Sequence, residues 1–272
     1  MARPTGGGAG TAYRGKLSGV DPRLEAMVEA ARAGGAVALE YYRRGFEVSL
    51  KADRSPVTEA DREAERAIGA VLRARCPDHG TLGEELGETG PRHRRFIIDP
   101  IDGTRNFVRR IPTWAVMIGL EEDGVVTAGA IFQPVTGVLH TAWRGQGAFR
   151  DGERIRVSPV DALERALVVH SSLNFLRRSP YWDGFLNLVD RTQVQRGFGD
   201  YSAYLWVAEG QGEIALSTTV KAWDVAAIKV VVEEAGGRLT DLDGGAGIYG
   251  STVFASNGLL HDAALAAMRV RP

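Results

Sequence analysis

Residues 97–104 read IIDPIDGT, and this stretch carries more information about the fold than any other part of the chain. Its isoleucines end an apolar strand that runs directly into Asp99 and Asp102. Gly103 and Thr104 then open a short helix, and α/β proteins place charged ligands where a strand end meets a helix N-terminus. The alternative is that Asp-Pro and Asp-Gly only mark turns.

The two aspartates indicate a metal. Hard oxygen donors this close together repel each other unless a cation lies between them. The backbone N–H groups of Gly103 and Thr104 are expected to face the same spot, and bound cations with N–H donors make a cradle for a phosphate. We therefore predict a divalent-metal and phosphate site at the end of this strand.

Helical patterns precede the strand, and a β pattern surrounds it. Asp21 and Pro22 suit a helix start, and apolar residues recur at helical spacing to about Tyr42. A short strand at 47–50 and a second helix at 58–75 follow. Further strands, separated by Asp-Gly, Pro and Gly turn signals, are predicted at 95–99, 114–121, 125–133 and 138–143. The first half therefore reads as two helices followed by an antiparallel sheet.

The second half alternates strands with helices, which favours a layered α/β arrangement. The predicted strands are 166–171, 193–197, 213–216 and 251–255, and the predicted helices are 180–190, 202–209, 223–235 and 259–268. A change in composition at 151–160 (DGERIRVSPV) is the candidate boundary. We predict a disordered glycine-rich tail at 1–16, an N-terminal α+β half at 17–157 and a C-terminal α/β half at 158–272.

Composition excludes several classes of protein. The chain has 272 residues with 33 Lys plus Arg against 34 Asp plus Glu, so a broad nucleic-acid or membrane-surface function is not expected. Cys76 is the single cysteine, which excludes an internal disulfide framework and a cysteine zinc site. No apolar run approaches the roughly 20 residues of a membrane helix. Without an export signal in the sequence, the cytoplasm is the expected compartment.

Three further acids are candidate site residues, each with a simpler explanation. Glu84 follows a short strand-like approach, although GEELGE also suits a solvated acidic loop. Asp61 stands three residues after Thr58 and fits a helix capping box, a role that does not prevent it from reaching a neighbouring site. Asp224 begins an apolar helix, where an acid also favours the helix dipole.

Other catalytic schemes lack their motifs. The five histidines show no paired zinc-ligand spacing, and no G-x-S-x-G elbow exists. Gly10, Gly15 and Lys16 fit part of a phosphate loop, but Leu17 stands where Ser or Thr is needed.

Taken together, these segments resemble the inositol monophosphatase family of magnesium-dependent phosphatases. The matching pieces, in order, are Lys51, 56–61 (PVTEAD), 83–85 (GEE), 99–104 (DPIDGT), 106–107 (NF) and 223–227 (WDVAA). Within the family, 106–109 (NFVR), 197–200 (GFGD) and 256–261 (SNGLLH) resemble the histidinol-phosphate phosphatase branch.

The resemblance implies a layered α-β-α-β-α sandwich that holds two or three Mg²⁺ ions. By resemblance, Glu84, Asp99 and the Ile101 carbonyl hold the first ion, and Asp99, Asp102 and Asp224 hold the second. A third is helped by Glu84 and, through water, by Asp61. Thr104 orients the attacking water, and Lys51 is an electrostatic helper. Hydrolysis of a phosphate monoester by a metal-activated water follows, and similar proteins are usually homodimers.

The substrate is the open question. Ser217 occupies a position where family members acting on inositol phosphate commonly carry a Glu, seven residues before Asp224. Asp200 stands where the family lines its substrate pocket and could pair with a cationic substrate such as histidinol phosphate, or it could simply cap the following helix. The expected substrate contacts are Asp102, Gly103, Thr104, Asp200, Ser217 and Asp224. Inositol, sugar or nucleotide phosphates are the alternative substrates, and a metal-dependent binding protein without turnover is the remaining alternative.

Overall fold

The computed structural model describes residues 21–50 and 56–269. The predicted tail at 1–16 and the predicted helper Lys51 lie outside the described residues. The helices are α1 (Pro22–Arg44), α2 (Glu59–Arg75), α3 (Thr104–Val108), α4 (Leu173–Arg178), α5 (Trp182–Arg191), α6 (Tyr201–Ala208), α7 (Ala222–Glu234) and α8 (His261–Met268).

The strands follow the predicted pattern, with several short additions. They are β1 (Val48–Leu50), β2 (Pro56–Thr58), β3 (Gly80–Gly83), β4 (Gly87–Thr89), β5 (Arg94–Asp102), β6 (Ala115–Glu122), β7 (Val125–Phe132), β8 (Leu139–Trp143), β9 (Gly147–Arg150), β10 (Glu153–Arg154), β11 (Leu167–His170), β12 (Val194–Arg196), β13 (Ile214–Ser217), β14 (Arg238–Thr240) and β15 (Val253–Ser256). Strands β2, β4, β9, β10 and β14 were not predicted, because runs of two to four residues are too short to show a period.

Eight strands form the larger sheet, in the order β10-β9-β8-β7-β6-β5-β3-β4. Its neighbours are antiparallel as predicted, except that β3 and β5 run parallel. The exception arises because β4 turns back along the outer side of β3, so that the chain enters β5 in the direction of β3. The end of β3 at Gly83 therefore lies beside Ile98, so Glu84 follows β3 close to the point where β5 carries Asp99.

The smaller sheet has five strands in the order β12-β11-β13-β15-β14. Strand β11 pairs in parallel with β12 and β13, whereas β15 is antiparallel to β13 and β14. The alternation of strands and helices thus indicated the layers of this half correctly, but not the two antiparallel pairings, which depend on the loop at 241–252.

Five layers result from the way the helices cover the two sheets. Helices α1 and α2 pack on one face of the larger sheet, α6 and α7 lie between the sheets, and α5 and α8 cover the outer face of the smaller sheet. Successive strand residues face opposite sides of a sheet, so the two faces of the larger sheet pack against different helices. Ile97 and Ile98, for example, belong to different core clusters. The predicted α-β-α-β-α sandwich is confirmed.

Helix α7 lies unusually close to the larger sheet. A Cβ on Gly119 would lie 2.6 Å from Cβ of Ala226, and one on Gly129 would lie 2.7 Å from Cγ1 of Val230. Because of this close packing, residues from both proposed halves share one hydrophobic core. The division into 17–157 and 158–272 stays a prediction. In the part of the chain that the structure describes, no helix combines the length and apolar character needed to cross a membrane.

Candidate active site

A β-bulge brings Asp99 and Asp102 to the same side of the larger sheet. In β5, Asp99 pairs with Met117 and Asp102 pairs with Ala115, so three steps on β5 match two on β6. Residues three apart on a regular strand face opposite sides, and the extra residue of the bulge cancels that alternation. The strand therefore continues to Asp102 rather than ending at Asp99, which corrects the predicted end of the strand.

Asp224 completes a group of three carboxylates. One oxygen each from Asp99, Asp102 and Asp224 lies within 4.8 Å of the others. Asp224 comes from the first turn of α7, where its Oδ2 also accepts a hydrogen bond of 2.7 Å from the backbone N–H of Lys221. Its place in the first helical turn agrees with the helix-dipole explanation and leaves the predicted metal role open, because one carboxylate has acceptors enough for both.

Burial and mutual repulsion dominate the electrostatics of this group. Asp99 is 2% exposed and Asp102 is 8% exposed. Burial, followed by the charge of Glu84 and of the other aspartates, raises the pKa of Asp99 well above its usual range. Burial, followed by the charges of Asp200 and Asp224, does the same to the pKa of Asp102. Burial also raises the pKa of Asp224 to about 7.

Asp61 is a buried capping residue that faces the same acidic region. Its Oδ2 accepts hydrogen bonds from the backbone N–H and the Oγ1 hydroxyl of Thr58, at 2.7 and 2.8 Å. Burial raises the pKa of Asp61 to about 6, and the charges of Glu85 and Glu84 add to the effect. The predicted capping box exists, and the acid at its third position is also part of the acidic cluster around the site.

Glu84 follows directly on β3, beside the three aspartates but outside the group whose oxygens lie within 4.8 Å of one another. Its backbone N–H donates to the Ile98 carbonyl at 3.2 Å, which ties it to the strand that carries Asp99. Among the charges acting on Asp99, that of Glu84 has the largest effect.

The residues after Asp102 form the turn that the sequence indicated. Gly103 has φ of 85°, a left-handed conformation that favours glycine, and it stands at the N-cap of α3. The Thr104 hydroxyl donates to the Ile101 carbonyl at 3.0 Å, so two predicted participants contact each other. The Ile101 N–H in turn donates to Asp99 Oδ1 at 3.0 Å.

Asp200 lies beside this turn, with its backbone at φ of 57°. It stands at the N-cap of α6, but its side chain makes no capping hydrogen bond. Its Oδ2 instead accepts a 2.9 Å hydrogen bond from Asn106, and the N–H of Tyr201 donates to Asp102 Oδ2 at 2.6 Å. Burial raises the pKa of Asp200, although the charge of Arg105 opposes this. The helix-cap explanation of this carboxylate is therefore wrong.

Ser217 ends β13, where its hydroxyl accepts a 2.8 Å hydrogen bond from the Tyr204 hydroxyl. Both side chains are buried, at 7% and 3% exposure. The position that was predicted to contact substrate is thus tied to α6 by a neutral hydrogen bond.

Two supporting contacts were not predicted. Glu65 accepts from the backbone of Glu85 and Leu86, which follow Glu84, and Asn106, known from the sequence only as part of a motif, donates to Asp200. Glu65 could have been found, because it stands one helical turn after Asp61 on the same face of α2.

The donor set fits a hard divalent cation. Three carboxylates supply only oxygen ligands, which Mg²⁺ and Ca²⁺ prefer. Burial and neighbouring negative charges raise the pKa values of these carboxylates, and among the residues that the structure describes no salt bridge pairs a cation with them. A bound divalent cation would reduce this repulsion. Asp99, Asp102 and Asp224 are therefore the residues that could hold a metal ion.

Known proteins resemble this chain over nearly its whole length. The inositol monophosphatase family matches residues 20–271. The histidinol-phosphatase of Mycobacterium tuberculosis is 42% identical over 251 residues, which cover 90% of this chain and 96% of that protein. The inositol-1-monophosphatase of Mesorhizobium japonicum is 35% identical over 255 residues, with 90% and 96% covered.

A solved structure shows the same fold. The extragenic suppressor protein suhB from Bartonella henselae superposes with a TM-score of 0.86 at 34% identity, covering 92% of this chain and 99% of that one. The two enzymes named above are phosphoric monoester hydrolases, and they support the phosphatase function that was predicted. On the family match and these identities, the chain belongs to the inositol monophosphatase family.

Proposed function

We propose that this chain is a Mg²⁺-dependent phosphomonoesterase whose substrate is histidinol phosphate, in histidine biosynthesis. The observation that carries the choice of substrate is the position of Asp200. Its Oδ2 lies 3.4 Å from the point that a Cβ on Gly103 would occupy, next to the turn that follows Asp102. A carboxylate there can pair with the ammonium or the imidazolium of histidinol phosphate.

Two further observations support a cationic substrate. Ser217 provides a neutral hydroxyl where inositol-specific members of the family commonly carry a Glu. The identity to the histidinol-phosphatase exceeds that to the inositol-1-monophosphatase, at 42% against 35%. Asn106 occupies only part of the Asp200 carboxylate, since the two oxygens of a carboxylate accept about four hydrogen bonds.

The proposed mechanism divides the work among the site residues. Asp99, Asp102 and Asp224 would hold the metal ions, with Glu84 and the Ile101 carbonyl as further ligands. When bound, Mg²⁺ neutralises phosphate charge and lowers the pKa of water.

Thr104 orients the attacking water. Its hydroxyl proton is donated to the Ile101 carbonyl, so its oxygen remains an acceptor for a hydrogen bond from that water. Asp61 would help to hold a third ion through a water molecule. The leaving oxygen takes its proton from solvent or from a water held by Asp102.

A phosphate-release assay on the purified protein tests this proposal. We expect release from histidinol phosphate that requires Mg²⁺ and stops with a chelator, and slower release from inositol 1-phosphate and adenosine 3′,5′-bisphosphate. Faster release from inositol 1-phosphate or adenosine 3′,5′-bisphosphate would contradict histidinol phosphate as the substrate but would still agree with a phosphatase. No release from any of the three in the presence of Mg²⁺ would contradict phosphatase function.

The substitution Asp200→Ala tests the role of its carboxylate. We expect kcat/KM for histidinol phosphate to fall by about 10- to 100-fold, the range for losing one charge-assisted hydrogen bond. The value for inositol 1-phosphate should change by less than about threefold, because that substrate has no cationic group to pair. An equal loss on both substrates would remove the argument for a cationic substrate.

Homodimeric assembly and a cytoplasmic location belong to this proposal on the strength of the family resemblance and the composition. Light scattering coupled to size exclusion tests the assembly, and a monomer at micromolar concentration would contradict it.

A further inference from the structure

Glu65 is a buried carboxylate that the mechanism above does not use. It lies on α2, one helical turn after Asp61, and is 3% exposed. Its Oε2 accepts a hydrogen bond of 2.8 Å from the backbone N–H of Glu85, and its Oε1 accepts one of 3.1 Å from that of Leu86. One side chain thus holds two consecutive peptide groups of the turn between β3 and β4.

The same carboxylate also fills the space beside Gly83. A Cβ on Gly83 would lie 1.8 Å from Glu65 Oε1 and 2.4 Å from its Cδ, so the strand end can approach Glu65 only as glycine. Gly83 precedes Glu84, and Glu85 and Leu86 follow it. Glu65 therefore constrains the backbone on both sides of Glu84.

We propose that Glu65 is a positioning residue, which fixes the backbone around Glu84 and so sets the direction of the Glu84 carboxylate toward Asp99, Asp102 and Asp224. This inference rests on the proposed function, because Glu84 acts there as a metal ligand. Glu65 touches neither metal nor substrate in this role, and it acts only through Glu84.

The chemistry of the contact requires a carboxylate. Two N–H donors face the end of the Glu65 side chain, and a carboxylate offers an acceptor to each. A glutamine has the same shape but offers one oxygen and one NH₂ group, so it places a donor against one of the two N–H groups. Burial and the charges of Glu85 and Glu84 raise the pKa of Glu65 and so disfavour its charged form, whereas the two backbone hydrogen bonds favour it.

The chain contains a matched control for this contact. Glu234 accepts backbone hydrogen bonds of 2.8 Å from Gly145 and 2.7 Å from Gly147, in the turn between β8 and β9. Its contact has the same chemistry, a glutamate that holds two N–H groups of a tight turn, and that turn lies four strands away from β3 in the larger sheet.

The experiment compares Glu65→Gln with Glu234→Gln in the full-length protein. Mg²⁺ binding is measured by calorimetry without substrate, and phosphate release is measured against Mg²⁺ concentration. For Glu65→Gln we expect Mg²⁺ affinity to fall about tenfold or more, with kcat restored to within about threefold at saturating Mg²⁺ and the KM for substrate unchanged. Glu234→Gln should keep the wild-type Mg²⁺ affinity within about twofold.

A second variant disturbs the Glu65 contact through a change in β3 instead of in Glu65 itself. Gly83→Ala displaces the Glu65 carboxylate through the added Cβ, so it should weaken Mg²⁺ binding in the same way if Glu65→Gln does not fold. Wild-type Mg²⁺ affinity in a folded Glu65→Gln or Gly83→Ala protein would overturn the positioning role alone. An equal loss in Glu234→Gln would also overturn it. A wild-type protein that binds no Mg²⁺ would overturn the proposed function and this role with it.

Discussion

Buried carboxylates occur in two contrasting settings in this molecule. At the site, Asp99, Asp102 and Asp224 lie close together, and burial with the charges of neighbouring acids raises the pKa of each. At the far end of β5, Glu121 is just as buried, but the Nε of Arg95 donates to it at 2.8 Å and the hydroxyl of Tyr249 at 2.6 Å.

A second carboxylate outside the site shows the same pairing. Burial would raise the pKa of Glu209, but its hydrogen bond with His140 and the charge of Arg150 bring it below its usual value. The fold therefore supplies these two acids with cationic partners from its own side chains, whereas no such pair with Asp99, Asp102 or Asp224 occurs within residues 21–50 and 56–269. We expect a bound divalent cation to take that place at the site.

The largest effect is expected when one site acid loses its charge. Asp224→Asn removes a metal-binding oxygen but keeps an oxygen that can accept from the Lys221 N–H, so the fold should persist. We expect phosphate release to fall by at least about 10³-fold at saturating Mg²⁺. The free energy of unfolding without metal should stay equal or rise, because one source of repulsion is gone. Both are measurable, by steady-state kinetics and by chelator-treated urea denaturation.

Asp102→Asn is the independent repeat of this test, since its amide oxygen can still accept from the Tyr201 N–H. Near-normal turnover in either variant would contradict the assignment of these acids to the metal site. A large loss of metal-free stability in both would contradict the view that the site acids repel one another in the folded state.

An intermediate effect on the free energy of unfolding is expected when a buried carboxylate outside the site loses its positively charged partner. Arg95→Met leaves Glu121 buried without its guanidinium partner, and we expect the free energy of unfolding to fall by about 3 kcal/mol. Activity per folded molecule should stay within about twofold, because Arg95 pairs with Glu121 and Glu88 rather than with a site acid. Urea denaturation and kinetics on the same preparation measure both quantities.

The control for this prediction is an ion pair of the same residue types in which the arginine is exposed to solvent. Arg92 pairs with Glu88 while 79% exposed, so Arg92→Met should change the free energy of unfolding by less than about 0.5 kcal/mol. Equal losses in the two variants would show that burial does not distinguish these pairs.

The smallest effect concerns a buried group that stays neutral. His261 is fully buried between the hydroxyls of Ser256 and Thr240, at 2.9 and 3.0 Å, and burial lowers its pKa to about 4. The unfolded histidine takes up its proton near pH 6.5, so this neutral form stabilises the fold above that pH. The stabilisation is lost as the pH falls from about 6.5 towards 4.

His261→Asn should flatten this dependence. Between pH 6.5 and 4.5, we expect the wild-type free energy of unfolding to fall more steeply than that of the variant, by up to about 1.4 kcal/mol per pH unit. Urea denaturation at several pH values measures the two slopes. Parallel slopes would mean that His261 titrates normally in the folded protein.

Local patterns in the sequence predicted the elements well, and the structure shows where their information ends. The start of α1 after Asp21 follows from a good N-cap before proline, a signal that lies within adjacent residues. The bulge between Asp99 and Asp102 could not be predicted, because it depends on how β5 aligns with β6. The role of Asp200 was also undecided, since only the neighbouring α3 supplies the Asn106 that holds its carboxylate.

Periodicity, caps and short motifs are properties of neighbouring residues, so the sequence predicted the longer helices and strands and the order of the family motifs, but neither the shortest strands nor the end of β5. Its balance of 33 basic and 34 acidic residues carried no hint of a site. The family resemblance implied that Asp99, Asp102 and Asp224 share an ion, but only the folded chain brings one oxygen of each within 4.8 Å of the others. That meeting depends on a bulge in one sheet and on a helix packed closely against it, and such long-range contacts form only when the whole chain folds.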